Sequence, residues 1–223
     1  MAAAQSHAWA NPSSTHAAGR ASRALLERAR DQIARAIGAA PADLVLTAGG
    51  TEACNLGVLG VVSRPHARLV STTIEHPAVL EPLRLLERAG RATCAWLQVR
   101  EGAAPPIEHL DRALDGGADL VAIQWVNHET GTLLPVAEYA ERCRERGVLM
   151  FIDATQALGK VPVDVRQSGV DLLALSGQKL YAPKGVGALF VRRRSPRVRL
   201  SPLVHGGGHE EGLRSGTLNV PGI

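Results

Sequence analysis

With 223 residues, 45% of them hydrophobic, the chain is long enough to bury one large core, or a large domain with a fragment of another. No apolar run approaches the roughly 18 residues that a membrane-spanning helix needs, and no signal-peptide stretch follows Met1, so the expected setting is the cytoplasm, away from membranes. The net charge of +4 and the cluster Arg192, Arg193, Arg194, Arg197 and Arg199 would suit nucleic acid, but only 3% of residues are aromatic and the cluster follows a buried-strand pattern, where a solvated end is expected instead of direct nucleic-acid contact.

Residues 1–10 read as a flexible leader and 11–223 as the folded domain, which opens on the turn-forming Asn11-Pro12-Ser13-Ser14. Leu26, Ala29, Ile33 and Ile37 share one helix face and predict a helix over 22–37, stopped by Gly38. A short strand, 44–46, then runs through Ala48-Gly49-Gly50-Thr51-Glu52 into a helix from about residue 53. Glycines at such a junction let backbone N–H groups approach an anion at the helix N-terminus, with the Thr51 hydroxyl beside them, although the same residues also make a plain tight turn. Neither GxGxxG nor GK[ST] is present, so no dinucleotide or triphosphate signature is read.

Strands follow at 68–72, 94–99, 120–123, 148–152, 172–175 and 186–191, most of them separated by helical patterns. That alternation predicts an α/β fold with a mostly parallel sheet covered by helices on both faces. Ligands of such sheets lie beyond the strands' C-terminal ends, where His76, Asn127, Asp153, Gln156 and Lys179 join Gly50 and Thr51. A strand does not end in a carboxylate for burial's sake, so Asp153 is expected to face a cation. His76 also fits a helix cap.

Only three of the 25 basic residues are lysines, and arginine stays protonated and forms no imine. Lys160, Lys179 and Lys184 are thus the candidates for covalent amine chemistry, which requires burial or a cationic neighbour to keep the amine neutral. Lys179 alone lies between a strand end and a polar turn. Cys54, Cys94 and Cys143 are odd in number and show no CxxC spacing, which argues against a disulfide framework and a metal site. An amine, a phosphate cradle, a carboxylate and an imidazole together suit pyridoxal phosphate.

The stretches NPSSTHAAGR, TAGGTEACN, TTIEHPAV, VNHETGTLLPV, FIDATQALGKVPVDV, DLLALSGQKLYAPKGVGALFVRR and HGGGHEEGLRSGTLNVP, in order from Asn11 to Pro221, resemble the cysteine desulfurases among the class V, fold-type I pyridoxal-phosphate enzymes. The resemblance implies a fold-type I large domain in which Lys179 holds the cofactor aldehyde as an imine, Asp153 pairs with the ring nitrogen, and His76 stacks on the ring and moves protons. It further implies that Gln156 and Asn127 contact the phenolic oxygen, that Thr51, Ser176 and Gln178 hold the phosphate, and that Thr217 reaches the phosphate of a neighbouring subunit in a homodimer. The implied reaction converts L-cysteine to L-alanine with sulfur passed to an acceptor such as an iron–sulfur scaffold protein. Two substitutions stand out, Gln178 where the family usually has histidine and His128 where it usually has asparagine. The chain stops at Ile223, where the family continues into a smaller C-terminal domain bearing the persulfide-forming cysteine; that domain is expected to be missing. The alternatives are a non-catalytic dimerising protein of the same fold and another class V enzyme, a selenocysteine lyase or an aminotransferase.

Overall fold

The computed structural model describes residues 2–99, 102–193 and 198–223, which leaves Arg194 and Arg197 of the arginine cluster outside the described residues. The seven strands are β1 (Leu44–Thr47), β2 (Ala67–Thr72), β3 (Ala92–Leu97), β4 (Leu120–Gln124), β5 (Leu149–Asp153), β6 (Leu172–Ser176) and β7 (Gly187–Val191), and they form one sheet in the order β1-β7-β6-β5-β4-β2-β3. From β3 through β6 all neighbours run parallel, whereas β7 is antiparallel to both β6 and β1. The reversal has a simple cause: only residues 177–186 join β6 to β7, and a parallel crossover needs about a dozen residues or more. The segment carrying Lys179 is therefore a hairpin connection at the C-terminal end of β6.

The helices are α1 (Ala2–His7), α2 (Ala17–Ala36), α3 (Gly50–Leu59), α4 (Pro77–Arg88), α5 (Ile107–Asp115), α6 (Val136–Glu145) and α7 (Val165–Ser168). Strand side chains alternate between two cores. On β5, Met150 and Ile152 pack with Leu26 of α2 and Ile37 just after it, Leu110 of α5 and Tyr139 of α6, while Phe151 faces α3 and α4 with Leu56, Val79 and Leu83. Burial on both faces explains the unbroken apolar runs of β4, β5 and β6, each large side chain contributing about 1.5–3 kcal/mol. None of the helices among the described residues is long and apolar enough to cross a membrane.

Two helices start earlier than their apolar periodicity indicates, because caps and not hydrophobic faces set the boundary. The His16 ring nitrogen accepts the Gly19 N–H and starts α2 at Ala17. For α3, Gly49 adopts φ 151°, a region closed to side-chain-bearing residues, and the helix begins at Gly50. A Cβ on Gly57 would lie 2.4 Å from the Phe151 ring, so α3 sits directly on β5 and aims its first turn over the ends of β5 and β6. The first ten residues, read as a leader, contain α1 and bury Ala8 and Ala10.

Of the arginine cluster, Arg192 donates to the carbonyls of Val170 and Val165, and Arg193 to the Ala42 carbonyl and to Glu211. Both extend packing at the end of β7 instead of forming an open basic patch.

Candidate active site

At the C-terminal ends of β4, β5 and β6 lies a cavity of about 750 Å³, bounded by the first turn of α3, His76 at the start of α4, and the hairpin connection after β6. Gly50, Thr51, His76, Asp153, Gln156, Ser176, Gln178 and Lys179 all line it. A larger cleft of about 970 Å³ beside β1 gathers Arg30, Arg193, Glu210 and Glu211, charges already paired with one another, and none of the sequence-predicted site residues.

The anion end is built from three chain segments. The first N–H groups of α3 have no partner within the helix, and the dipole adds partial positive charge there. A Cβ added to Gly50 would meet the Ser176 Cβ at 2.9 Å and the Thr155 hydroxyl at 3.2 Å, so only glycine leaves this concavity open between two hydroxyl-bearing side chains. Behind it, a Cβ on Gly187 would lie 2.5 Å from the Gly49 carbonyl carbon, which fixes the turn against β7.

Asp153 ends β5 and is 7% exposed. Its Oδ1 accepts the Thr155 N–H at 2.9 Å. Lys179 sits in the 3-10 turn Gly177–Leu180 that continues β6, with Tyr181 left-handed behind it at φ 60°. The burial expected of its amine is not found, because this turn lifts residue 179 off the sheet end and leaves it exposed while still lining the cavity. Among the described residues nothing is paired with its amine, whereas the Lys160 amine is bound to Gln156 Oε1 at 2.7 Å and Lys184 does not line the cavity. Lys179 is the lysine among the described residues that lines the cavity.

His76 caps α4 by accepting the Ala78 N–H on Nδ1 at 3.0 Å. That bond requires Nδ1 to be unprotonated, so the neutral ring carries its proton on Nε2. Desolvation lowers the His76 pKa; Asp153 raises it, and His128 and Lys179 lower it further. His128 meets His76 edge to face, with ring centroids 5.1 Å apart. Replacing His128 by asparagine is expected to move the His76 titration upward, an effect visible in the ring resonances of the protein without added ligand; an unmoved midpoint would show that the second imidazole has no electrostatic hold on the first.

Two of the sequence-predicted residues lie away from the cavity. Asn127 does not line the cavity: its Nδ2 donates to the Ile74 carbonyl, and its Oδ1 accepts the N–H groups of Glu129 and Thr130, so both ends of its amide brace the turn. His128 faces the cavity in its place. Thr217 is exposed and outside this cavity, on a segment tied to the first turn of α3 by the Arg214–Glu52 ion pair at 2.8 Å. Residues the sequence reading missed are Thr155, Gln124 and Cys54, which line the cavity, and Glu75, buried beside Asp153. Glu75 lies three residues past the end of β2, so the strand-end rule that selected Asp153 does not reach it.

A family model for class V aminotransferases matches residues 2–223. The mitosomal cysteine desulfurase of Trachipleistophora hominis is 44% identical over 220 residues, which is 96% of this chain and 49% of that protein. Cysteine desulfurase IscS of Neisseria meningitidis is 44% identical over 94% of this chain and 52% of its own length. Among solved structures, a NifS-like protein matches with a TM-score of 0.93 at 33% identity over 99% of this chain and 61% of that one. SspA in complex with cysteine matches with a TM-score of 0.92 at 34% identity over 98% and 63%. The chain spans about half the length of the curated relatives it matches. Class V aminotransferases and cysteine desulfurases depend on pyridoxal phosphate. The residues present fit that molecule, since the open concavity at Gly50 suits a phosphate and the buried acid and unpaired amine suit a ring nitrogen and an aldehyde. On the match that runs from residue 2 to residue 223, this chain belongs to the class V aminotransferase family.

Proposed function

We propose that residues 11–223 form the pyridoxal-phosphate-binding large domain of a cysteine desulfurase, with residues 1–10 as its leader, and that the whole protein converts L-cysteine to L-alanine while passing sulfur to a thiol acceptor. The observation that carries this is the meeting of Lys179, Asp153 and the Gly50–Thr51 turn around one cavity. Bound there, the cofactor supplies an aldehyde for attachment to an amine and a ring that withdraws electrons from the substrate's α-carbon. Lys179 is the attaching amine and moves the α-proton. Asp153, held by the Thr155 N–H, keeps a proton on the ring nitrogen. The first turn of α3, Thr51, Ser176 and the Gln178 amide hold the phosphate; Gln178 donates without charge and shuttles no proton. Gln156 offers its amide N–H to the ring oxygen, because its carbonyl oxygen is already bound to Lys160. His76, with Nδ1 engaged in the cap, acts through Nε2–H as a donor.

The three thiols bear on the sulfur step. Burial pushes Cys54 well above its usual range, and pushes Cys94 and Cys143 up to about 12. A thiolate is the nucleophile in sulfur transfer, so the acceptor must be a thiol other than these three. That same observation favours a second reading, a non-catalytic dimerising protein of this fold. In the leading reading Thr217, exposed and outside its own cavity, serves the phosphate site of a second copy in a homodimer, and the acceptor is a protein such as an iron–sulfur scaffold in the cytoplasm.

The test is to mix the purified protein with pyridoxal phosphate, desalt it, and add L-cysteine with an external thiol. An absorbance band that survives desalting, followed by sulfide and alanine release, is the expected result. A retained band without sulfide selects the non-catalytic reading, and no retained band removes both.

A further inference from the structure

Glu75 has no assigned part in the site, yet it is 3% exposed and interacts electrostatically with Asp153. It sits in the turn after β2, directly before His76. Its Oε1 accepts the Thr72 hydroxyl, its Oε2 is buried without a partner, and the Gln124 main chain of β4 faces it. The titratable groups facing it are Asp153 from β5 and the Cys54 thiol from α3, while β2 and β4 present a hydroxyl and an amide; no cation is among them. Two carboxyls thus flank Gln124 of β4, Asp153 at the end of β5 on one side and Glu75 in the turn after β2 on the other. They are not equivalent. Asp153 has a backbone N–H and the cavity itself to solvate a charge, whereas Glu75 has one bonded oxygen and one orphan. A buried carboxylate so poorly served costs more than a neutral acid in the same place, and a second negative charge beside Asp153 adds repulsion.

We propose that Glu75 is a positioning residue that stands as a neutral acid beneath the cavity, bracing the turn that presents His76 and leaving Asp153 as the charged carboxyl under the ring. Its bearing on the cofactor rests on the function proposed above, but its protonation does not. Burial and Asp153 raise the Glu75 pKa to about 8, against hydrogen bonds from Thr72 and Gln124 that lower it. An unfolded glutamate releases its proton near about pH 4.3. Between those values the folded state binds the proton and the unfolded state does not, so the stability contributed by the neutral form is complete at low pH and is lost as pH rises toward 8, levelling beyond it.

Glu75→Gln mimics the neutral acid and has no proton to lose. Relative to it, the folding equilibrium constant of the unsubstituted protein, measured without cofactor, is expected to fall about tenfold per pH unit between about pH 5 and 8 and then level. A ratio constant across that window overturns the proposal. Should the variant fail to fold, the unsubstituted protein labelled with carboxyl-carbon-13 glutamate decides the matter: one glutamate resonance titrating near pH 8 is expected, and titration of every glutamate below about pH 6 overturns it. With pyridoxal phosphate added at pH 7, Glu75→Gln should retain the cofactor while Glu75→Ala binds about tenfold more weakly; equal loss in both rules out the neutral-acid role. If the unsubstituted protein binds no cofactor, the functional reading fails and the two cofactor-free measurements still stand.

Discussion

Replacing Lys179 by alanine is expected to abolish covalent attachment of pyridoxal phosphate and, in the whole protein, to lower turnover of L-cysteine by about 10²–10⁴-fold, the scale of a positioned proton-transfer group. The reason lies in the inventory of amines. Arginine supplies the rest of the basic residues and cannot react with an aldehyde. Lys160 is bound to Gln156, and Lys184 stands outside the cavity, so no neighbouring amine substitutes when Lys179 is removed. Borohydride reduction followed by peptide mapping checks this directly: the cofactor mass should fall on the peptide containing Lys179, survive in Lys184→Ala, and vanish in Lys179→Ala. Because residue 179 is exposed at the end of a 3-10 turn, its replacement removes no core contact, and the variant should melt within about 0.5 kcal/mol of the parent without cofactor. A covalent adduct on Lys160 or Lys184 in the parent would overturn the assignment.

How Lys179, Asp153 and the Gly49–Gly50 turn became legible follows from the α/β pattern. When strands are apolar on both faces, polar residues are expelled to their ends, and the parallel arrangement gathers those ends on one edge. Asp153 after Leu149-Met150-Phe151-Ile152 and Ser176 after Leu172-Leu173-Ala174-Leu175 could be read this way because composition changes abruptly. The exchange of Asn127 and His128 could not. Both follow β4 and both are polar; only side-chain parity separates them. Gln124, Val126 and His128 line the cavity, so the two-residue alternation persists past the last strand residue, and the isolated Val126–Leu133 pairing maintains it. The direction of β7 was equally hidden, because a buried apolar strand reads the same either way, and only the shortness of 177–186 excludes a crossover. Glu75 escaped because the histidine beside it drew the functional reading, although a buried carboxylate is the rarer event.

Replacing Glu210 by alanine is expected to cost about 3–5 kcal/mol, the scale seen when a buried ion pair loses one partner. That is a large share of a stability of about 5–15 kcal/mol. Glu210 lies in the glycine-rich HGGGHE segment, yet its carboxylate reaches α2, receiving Arg30 through both oxygens at 2.6 and 2.9 Å with side chains only 11% and 5% exposed. It also accepts the Leu46 N–H at 2.7 Å, a donor on the free edge of β1. Alanine therefore leaves a half-buried guanidinium held by the Leu44 carbonyl and by Glu27 at 3.3 Å, together with an orphan strand-edge donor. Glu210→Gln should cost less, because its carbonyl oxygen still accepts from Leu46. Combining Glu210→Ala with Arg30→Met should recover much of the loss by removing the stranded charge. Urea unfolding measures all three, and hydrogen exchange at Leu46 should accelerate in Glu210→Ala before global unfolding. Since β1 runs directly into Gly49 and Gly50, the loosened edge should also weaken pyridoxal phosphate binding. A cost below about 1 kcal/mol, the value of an exposed pair, would show that the glycine-rich segment merely lies on β1 and does not hold it.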